Sequence, residues 1–263
     1  MTGIKTSTVT VAGEPCRVLE KGEGEPVGYL AGLKGMPTWF PFLDELAKHH
    51  RVVVPSLPGF PGGAPEGFRD LDDQLDWVGA TLDLLEKAGL AGADLIASSF
   101  SGMLAADVAA LAPGFVKRLV LIGPWGLYDT TDPGVDYFAR TEQEQAELLS
   151  GDPARIEAAL AAPADADPMG WTIETFHRVN EAAARVSWPF GDRGLRKRLH
   201  RITAPTLVVW GEADKVLPPS YAKRYEAGIT GPTRTAILPG VAHDCVIDAP
   251  QESARHVLSF LGS

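Results

Sequence analysis

The chain contains two cysteines, Cys16 and Cys245, and no C-x-x-C or Cys/His spacing of the kind that holds zinc. A disulfide framework and a structural metal are therefore not expected, and a reducing compartment is. No apolar run approaches the ~18 residues of a membrane span. The start, Met1-Thr2-Gly3-Ile4-Lys5, lacks the charged and then apolar segments of a leader peptide. A soluble, cytoplasmic protein is the expectation. Basic charge is scarce: 24 Lys and Arg stand against 34 Asp and Glu, for a formal charge of −10. That argues against nucleic acid or an anionic membrane as partner, since both require clustered Lys and Arg. The one basic cluster, Arg193 to Arg201, reads as a solvated helix face, with a grip on an anionic substrate tail as the lesser alternative. Internal repeats, heptads and low-complexity tails are lacking as well.

What is present is a chain of 263 residues, 45% hydrophobic, enough for a sizeable buried core. Thr8 to Val11 and Cys16 to Leu19 alternate and are joined through Gly13-Glu14-Pro15, the pattern of an antiparallel edge hairpin. Val27 to Leu30 predicts a third strand, running into the glycine-bearing loop Ala31 to Pro37 and a helix from Thr38 to Lys48. Arg51 to Pro55 is a compact β-branched run, followed by a loop too rich in Pro and Gly for regular structure, Ser56 to Gly63. Leu71, Leu75, Val78, Leu82 and Leu85 recur at helical spacing, with Asp70, Asp72 and Asp73 at the end where the helix dipole favours negative charge. Lys117 to Ile122 supplies another buried strand. Strands and helices thus alternate as in βαβ units, which implies an α/β fold with a mostly parallel sheet flanked by helices.

The pattern changes after Gly123-Pro124-Trp125-Gly126. From about Asp129 to His200 there are Ala- and Glu-rich helical stretches broken by Pro133, Pro153, Pro163, Pro168 and Pro189, and no convincing strand. This predicts a helical lid over residues 129–200, inserted into a core domain made of residues 1–128 and 201–263. The sheet resumes at Thr206 to Trp210, and Thr235 to Leu238 is its last strand. Helices are expected at Ser220 to Ala227 and from about Pro250 to Leu261, with Asp248 and Gln251 spaced as a capping box for the latter.

One stretch organises the chemistry. Leu95 to Ala97 reads as the end of a buried strand and Met103 to Leu111 as a helix, so the chain must reverse sharply around Ser99. That is the strand–turn–helix context of a nucleophile elbow, normally written G-x-S-x-G. Small residues flank the serine at the right spacing, but they are Ala97 and Ser101 rather than glycines. Ser98 and Ser101 are read as small residues permitting close packing, with hydrogen bonding beside the nucleophile as the alternative. A serine hydroxyl is a poor nucleophile until a neutral imidazole accepts its proton, and a carboxylate fixes that imidazole's tautomer. Two loops leaving strand ends supply those groups: Gly211-Glu212-Ala213-Asp214 places Asp214, and Pro239-Gly240-Val241-Ala242-His243 places His243. The backbone N–H groups of Leu33 and Phe100 are the candidate oxyanion-hole donors. No cofactor or metal is required by this chemistry.

Taken in order, Ser99, Asp214 and His243 on loops after strands resemble the α/β-hydrolase fold family across essentially the whole chain. The resemblance implies an eight-stranded sheet, a small-molecule substrate and an acyl-enzyme on Ser99. Arg185-Val186-Ser187-Trp188-Pro189, leading to Ile202-Thr203-Ala204-Pro205, is similar to the lid exit of the esterase and carbon–carbon hydrolase branch. Serine at position 99 argues against the dehalogenases and epoxide hydrolases, which carry aspartate there. The sequence departs from the pattern at Ala31-Gly32, where His-Gly is usual, at Ala97 and Ser101, and at Asp244, where hydrolases of ring-cleavage products carry tryptophan.

Some members of the fold place the acid after the preceding strand, which makes Asp129 or Asp132 the runner-up to Asp214. Asp107 reads as an exposed helical charge. Trp125, Tyr128, Trp188, Arg185 and His177 are candidate substrate-binding residues in or near the lid, with Arg185 suited to a substrate carboxylate if the bond cleaved is carbon–carbon. The expected function is hydrolysis of a carboxylic ester or similar carbonyl compound. The alternatives are carbon–carbon hydrolysis of a diketone or ring-cleavage product, and a non-catalytic or slow-turnover sensor.

Overall fold

The computed structural model describes residues 3–263. Met1 and Thr2, where the leader-peptide reading begins, lie outside the described residues. Eight strands form one sheet: β1 (Lys5–Val11), β2 (Glu14–Lys21), β3 (Pro26–Leu30), β4 (Arg51–Pro55), β5 (Asp94–Ser98), β6 (Leu119–Ile122), β7 (Thr206–Gly211) and β8 (Thr233–Leu238). Their order is β1-β2-β4-β3-β5-β6-β7-β8. Only β2 runs against its neighbours, pairing antiparallel with both β1 and β4. From β4 to β8 every pairing is parallel. The predicted hairpin therefore sits at the sheet edge, and the strand carrying the elbow, β5, lies centrally between β3 and β6.

Side-chain alternation divides the core. Leu95 and Ala97 join the cluster on one face, with Trp77, Leu84, Leu104 and Val108, whereas Ile96 faces the other, with Leu43, Leu46 and Val257. The first face is covered by α2 (Gln74–Lys87) and α3 (Ser99–Leu111), the second by α1 (Pro41–Leu46) and the C-terminal helix Pro250–Leu261. Because both faces are covered, β5 is buried along its whole length.

Between β6 and β7 the described chain is helical and irregular, without a strand. It contains a short turn at Tyr137–Ala139, then α4 (Glu142–Leu149), α5 (Pro153–Ala159), α6 (Pro168–Thr172), a wider π-helical turn (Ile173–Arg178) and α7 (Val179–Ser187). After β7 come α8 (Ser220–Gly228), and after β8 come α9 (Cys245–Asp248) and α10 (Pro250–Leu261). Among the described residues no helix is long and apolar enough to cross a membrane.

Several sequence expectations are corrected. The helix predicted for Thr38 to Lys48 is shorter, starting at Pro41, whose ring fits the first helical position. Leu75 is 68% exposed although it fits the apolar spacing. Asp73 caps α2 through a reciprocal capping box with Asp76, which sets the rotation of the first turn and turns Trp77, Val78, Thr81, Leu84 and Leu85 to the core instead.

Asp107 is fully buried, not exposed. Its two oxygens accept from the Arg198 guanidinium at 2.5 and 3.0 Å, and Gln74 Nε2 donates to it at 2.8 Å. The stretch Arg193 to Arg201 is accordingly two short turns, Leu195–Lys197 and Leu199–Arg201, rather than a solvated helix face. Asp248 does not cap α10, whose cap position is Ala249; it ends α9 and turns back to accept from the Ala242 N–H at 2.9 Å and the Gly151 N–H at 3.2 Å. That carboxylate pins the loop before His243 to the start of α5.

Candidate active site

Ser99 stands at the corner between β5 and α3 with φ +52°, a left-handed conformation rare for a non-glycine residue. The strain is held by close packing on both sides. A Cβ on Gly32 would lie 3.1 Å from Ser99 Cβ, and one on Gly102 would lie 2.8 Å from Pro124 Cβ. Glycine at 32 thus lets the loop after β3 press against the serine, and glycine at 102 lets α3 press against the chain after β6. The Trp125 N–H also donates to the Ser99 carbonyl at 3.1 Å.

Three distant side chains meet here. The Ser99 hydroxyl and His243 Nε2 are 2.7 Å apart, and His243 Nδ1 lies 2.7 Å from Asp214 Oδ2. The other Asp214 oxygen accepts the N–H groups of Val216 at 2.8 Å and Leu217 at 2.9 Å. With both its oxygens engaged, the carboxylate is fixed in direction, so Nδ1 carries a proton toward it and Nε2 is free to accept from serine. The imidazole is almost wholly removed from solvent. Burial alone lowers its pKa, but the charge of Asp214, its hydrogen bond and the charge of Asp244 outweigh that, and the net direction is upward from the ordinary histidine value.

The runner-up acids stand elsewhere. Asp129 pairs with Arg224, and Asp132 accepts from the Ser220 hydroxyl at 2.7 Å. Leu33 and Phe100 are both buried. Phe100 occupies the first turn of α3, where N–H groups have no partner within the helix, and among the described residues neither its N–H nor that of Leu33 takes part in a backbone hydrogen bond outside the regular elements. Ser101 does more than pack: its hydroxyl donates to the Ala31 carbonyl at 2.5 Å, and Ser98 Oγ lies 3.2 Å from the Tyr29 hydroxyl.

The five candidate substrate-binding residues separate. Trp125 is buried, in edge contact with Tyr137, Phe138 and Phe190. Tyr128 is half-buried against Phe190. Trp188 is 54% exposed, with its indole N–H toward Asp136, and is not gathered with the buried set. Arg185 is also exposed; it donates to the Arg69 carbonyl at 2.7 Å and lies over the Phe68 ring, so its guanidinium is already engaged by these groups. His177 is exposed against Phe176. These three positions follow the outer side of their helix and turns, which sequence spacing alone did not resolve.

Two buried charged residues adjoin the site residues in sequence. Asp244 directly follows His243, and burial pushes its carboxyl up to about 6. Lys34 directly follows Leu33 and is only 5% exposed; burial pulls its ammonium down to about 8, against the opposing charge of Glu142. The available signal was a lysine inside the glycine-bearing loop, where an apolar residue would be the simpler choice. Among the described residues no group of three or more His, Cys, Asp or Glu is arranged to hold a metal ion.

A model of the alpha/beta hydrolase family matches residues 32–256. The chain belongs to the alpha/beta hydrolase family. This hydrolase is 26% identical over 268 residues to the 2-hydroxy-6-oxo-6-(2'-aminophenyl)hexa-2,4-dienoic acid hydrolase of Metapseudomonas resinovorans, covering 96% of this chain and 89% of that one. It is 24% identical over 250 residues to the human monoacylglycerol lipase ABHD6, covering 86% and 71%. Among solved structures it resembles a meta-cleavage product hydrolase of Pseudomonas fluorescens, with a TM-score of 0.79, 19% identity and 97% of each chain covered. It also resembles the esterase RhEst1 of Rhodococcus sp. ECU1013, with a TM-score of 0.76, 22% identity, and 100% and 99% covered.

Proposed function

We propose that the protein is a serine hydrolase acting on a carboxylic ester or similar carbonyl compound of small to medium size. The observation that carries the reading is the continuous hydrogen-bonded series from Ser99 through His243 to Asp214, two contacts of 2.7 Å out of contact with bulk water. In this reading His243 Nε2 takes the serine proton as Oγ attacks the carbonyl carbon, and Asp214 stabilises the imidazolium. The N–H groups of Leu33 and Phe100 receive the oxygen of the tetrahedral intermediate. His243 then protonates the leaving alcohol, and water, activated by the same imidazole, releases the acid from Ser99. Residues 129–200 act as a lid, with Trp125 and Tyr128 on its core-facing side walling the site. The two buried, unpaired cysteines fit a cytoplasmic location.

Carbon–carbon hydrolysis with the same three residues is the second reading, favoured by the relatives named as hydrolases of 2-hydroxy-6-oxo-6-(2'-aminophenyl)hexa-2,4-dienoic acid and of 2-hydroxymuconate semialdehyde. It does without Arg185 as a carboxylate ligand, for the reason given above. Labelling with a fluorophosphonate probe, followed by peptide mapping, tests the shared premise. A stoichiometric adduct on Ser99 is expected; a protein that binds carbonyl ligands but gives no adduct is a sensor on this fold. Turnover of a β-diketone against its matched ester then separates the two hydrolytic readings.

A further inference from the structure

Lys34 is a buried cation with one polar partner. Its ammonium donates to Gln145 Oε1 at 2.7 Å, while the Phe176 ring lies 4.7 Å away and the Tyr137 ring 5.7 Å. Among the described residues no carboxylate stands within ion-pair distance of it. An ammonium has three protons to donate, and burying it with a single neutral acceptor is costly. Nor is it alone. The Tyr137 hydroxyl and the Trp125 indole N–H are both buried without a hydrogen-bond partner, and their rings touch edge to face. One acceptor, Asn180 Oδ1, also lacks a partner, although the amide of Asn180 reaches Gln145 Oε1 at 3.4 Å. Donors nevertheless outnumber acceptors, and one of them carries a full charge.

The position of this cluster matters as much as its polarity. Lys34 follows Leu33 and sits two residues after Gly32, which packs on Ser99, and Trp125 donates its backbone N–H to the Ser99 carbonyl. On its solvent side Lys34 lines a groove between α4 and α5 rimmed by Glu142, Glu147 and Glu157, whose charges repel anions approaching from solvent. Asp244, beside His243, has no marked effect on Lys34, although its charge reaches the Tyr137 hydroxyl.

We propose that Lys34, with the donors of Tyr137 and Trp125, is a specificity site for an anionic group, a carboxylate, carried on the acyl part of the substrate. The inference rests on the serine-hydrolase reading and names the substrate class within it. The carboxylate replaces the missing counter-charge of Lys34 and takes the free donors, and the scissile carbonyl sits at Ser99. Charge-assisted hydrogen bonds to a buried ammonium are the strong kind, so removing the cation costs on the order of 10- to 100-fold in selectivity.

The test compares release of 4-nitrophenolate from mono-4-nitrophenyl adipate and suberate with release from their methyl-capped counterparts, which replace the distal charge with a neutral methyl ester. The wild-type protein is expected to favour the free acid in kcat/KM by at least tenfold at one of the two chain lengths. In Lys34→Met that ratio is expected to fall at least tenfold, whatever happens to the absolute rates, and in Lys34→Arg most of it is expected to remain. Folding of each variant is read from fluorophosphonate labelling of Ser99. Equal turnover of acid and methyl ester by the wild type at both lengths overturns the inference without any variant, as does an unchanged ratio in a labelled Lys34→Met protein. If the wild type cleaves neither ester and takes no label, the serine-hydrolase reading has failed and this inference falls with it.

Discussion

The Ser101 hydroxyl donates to the Ala31 carbonyl across 2.5 Å, tying the first turn of α3 to the loop that carries Leu33 and Lys34. The family pattern places glycine where Ser101 stands, and glycine could make no such bond. In this protein the serine anchors Ala31, which stands where the family pattern has histidine, directly to the elbow.

Ser101→Ala removes that anchor and leaves the Ala31 carbonyl unsatisfied, at a cost of about 1–3 kcal/mol. The expected kinetic signature is a fall in kcat of roughly tenfold with a smaller change in KM, because an oxyanion donor is used chiefly in the transition state. Steady-state kinetics on a neutral 4-nitrophenyl ester would show it. A change confined to KM would argue that Ser101 merely fills space.

Gly32→Ala is expected to be worse for activity than for stability. The new methyl would come to 3.1 Å from Ser99 Cβ, so either the loop or the serine must shift. Displacing a reacting group by a fraction of an ångström costs on the order of tenfold or more in rate. Urea unfolding alongside kcat/KM checks this, and an active, equally stable variant would mean that the loop is not held against the serine.

The His243 imidazole must be neutral to accept the serine proton, so activity is lost as the pH falls through its raised pKa. Asp244 contributes to that rise while ionised, and its own carboxyl is pushed up to about 6, so the acid limb reports two coupled protons. Removing the negative charge with Asp244→Asn lowers the His243 pKa. The acid limb of log kcat/KM should therefore move to lower pH. A shift in the opposite direction would exclude Asp244 as a source of the effect.

A structural prediction concerns the buried pair beneath α3. Arg198→Met leaves Asp107 with Gln74 as its remaining polar side-chain partner, and a buried charge that has lost its counterion typically costs about 3–5 kcal/mol. Arg198 keeps some exposure, so the lower end of that range is expected in urea unfolding. A cost below about 1 kcal/mol would mean that water replaces the guanidinium.

The fold was legible because it is written in local patterns. Alternating and β-branched runs marked the strands, and the residues of the elbow, the Asp214 loop and the His243 loop each sit where a strand must end. What escaped was long-range. Nothing local distinguishes Asp107 from a solvated helical carboxylate, because its partner is ninety-one residues away. Leu75 matched the apolar spacing, yet the cap at Asp73 rotated it outward. Arg185 and Trp188 carried the chemistry expected of a pocket, but their side chains follow the outer surface of α7 and its exit. Lys34 was passed over because a single charge in a loop defaults to solvent, and only the packing of α4 and Tyr137 over it makes it a buried cation.

The central claim is that the Ser99 hydroxyl becomes acylated. Stopped-flow mixing of the protein with a 4-nitrophenyl ester is predicted to give a burst of nitrophenolate stoichiometric with enzyme wherever deacylation limits turnover, and Ser99→Ala is predicted to lose both burst and steady-state turnover above background. Undiminished turnover by Ser99→Ala would contradict the account.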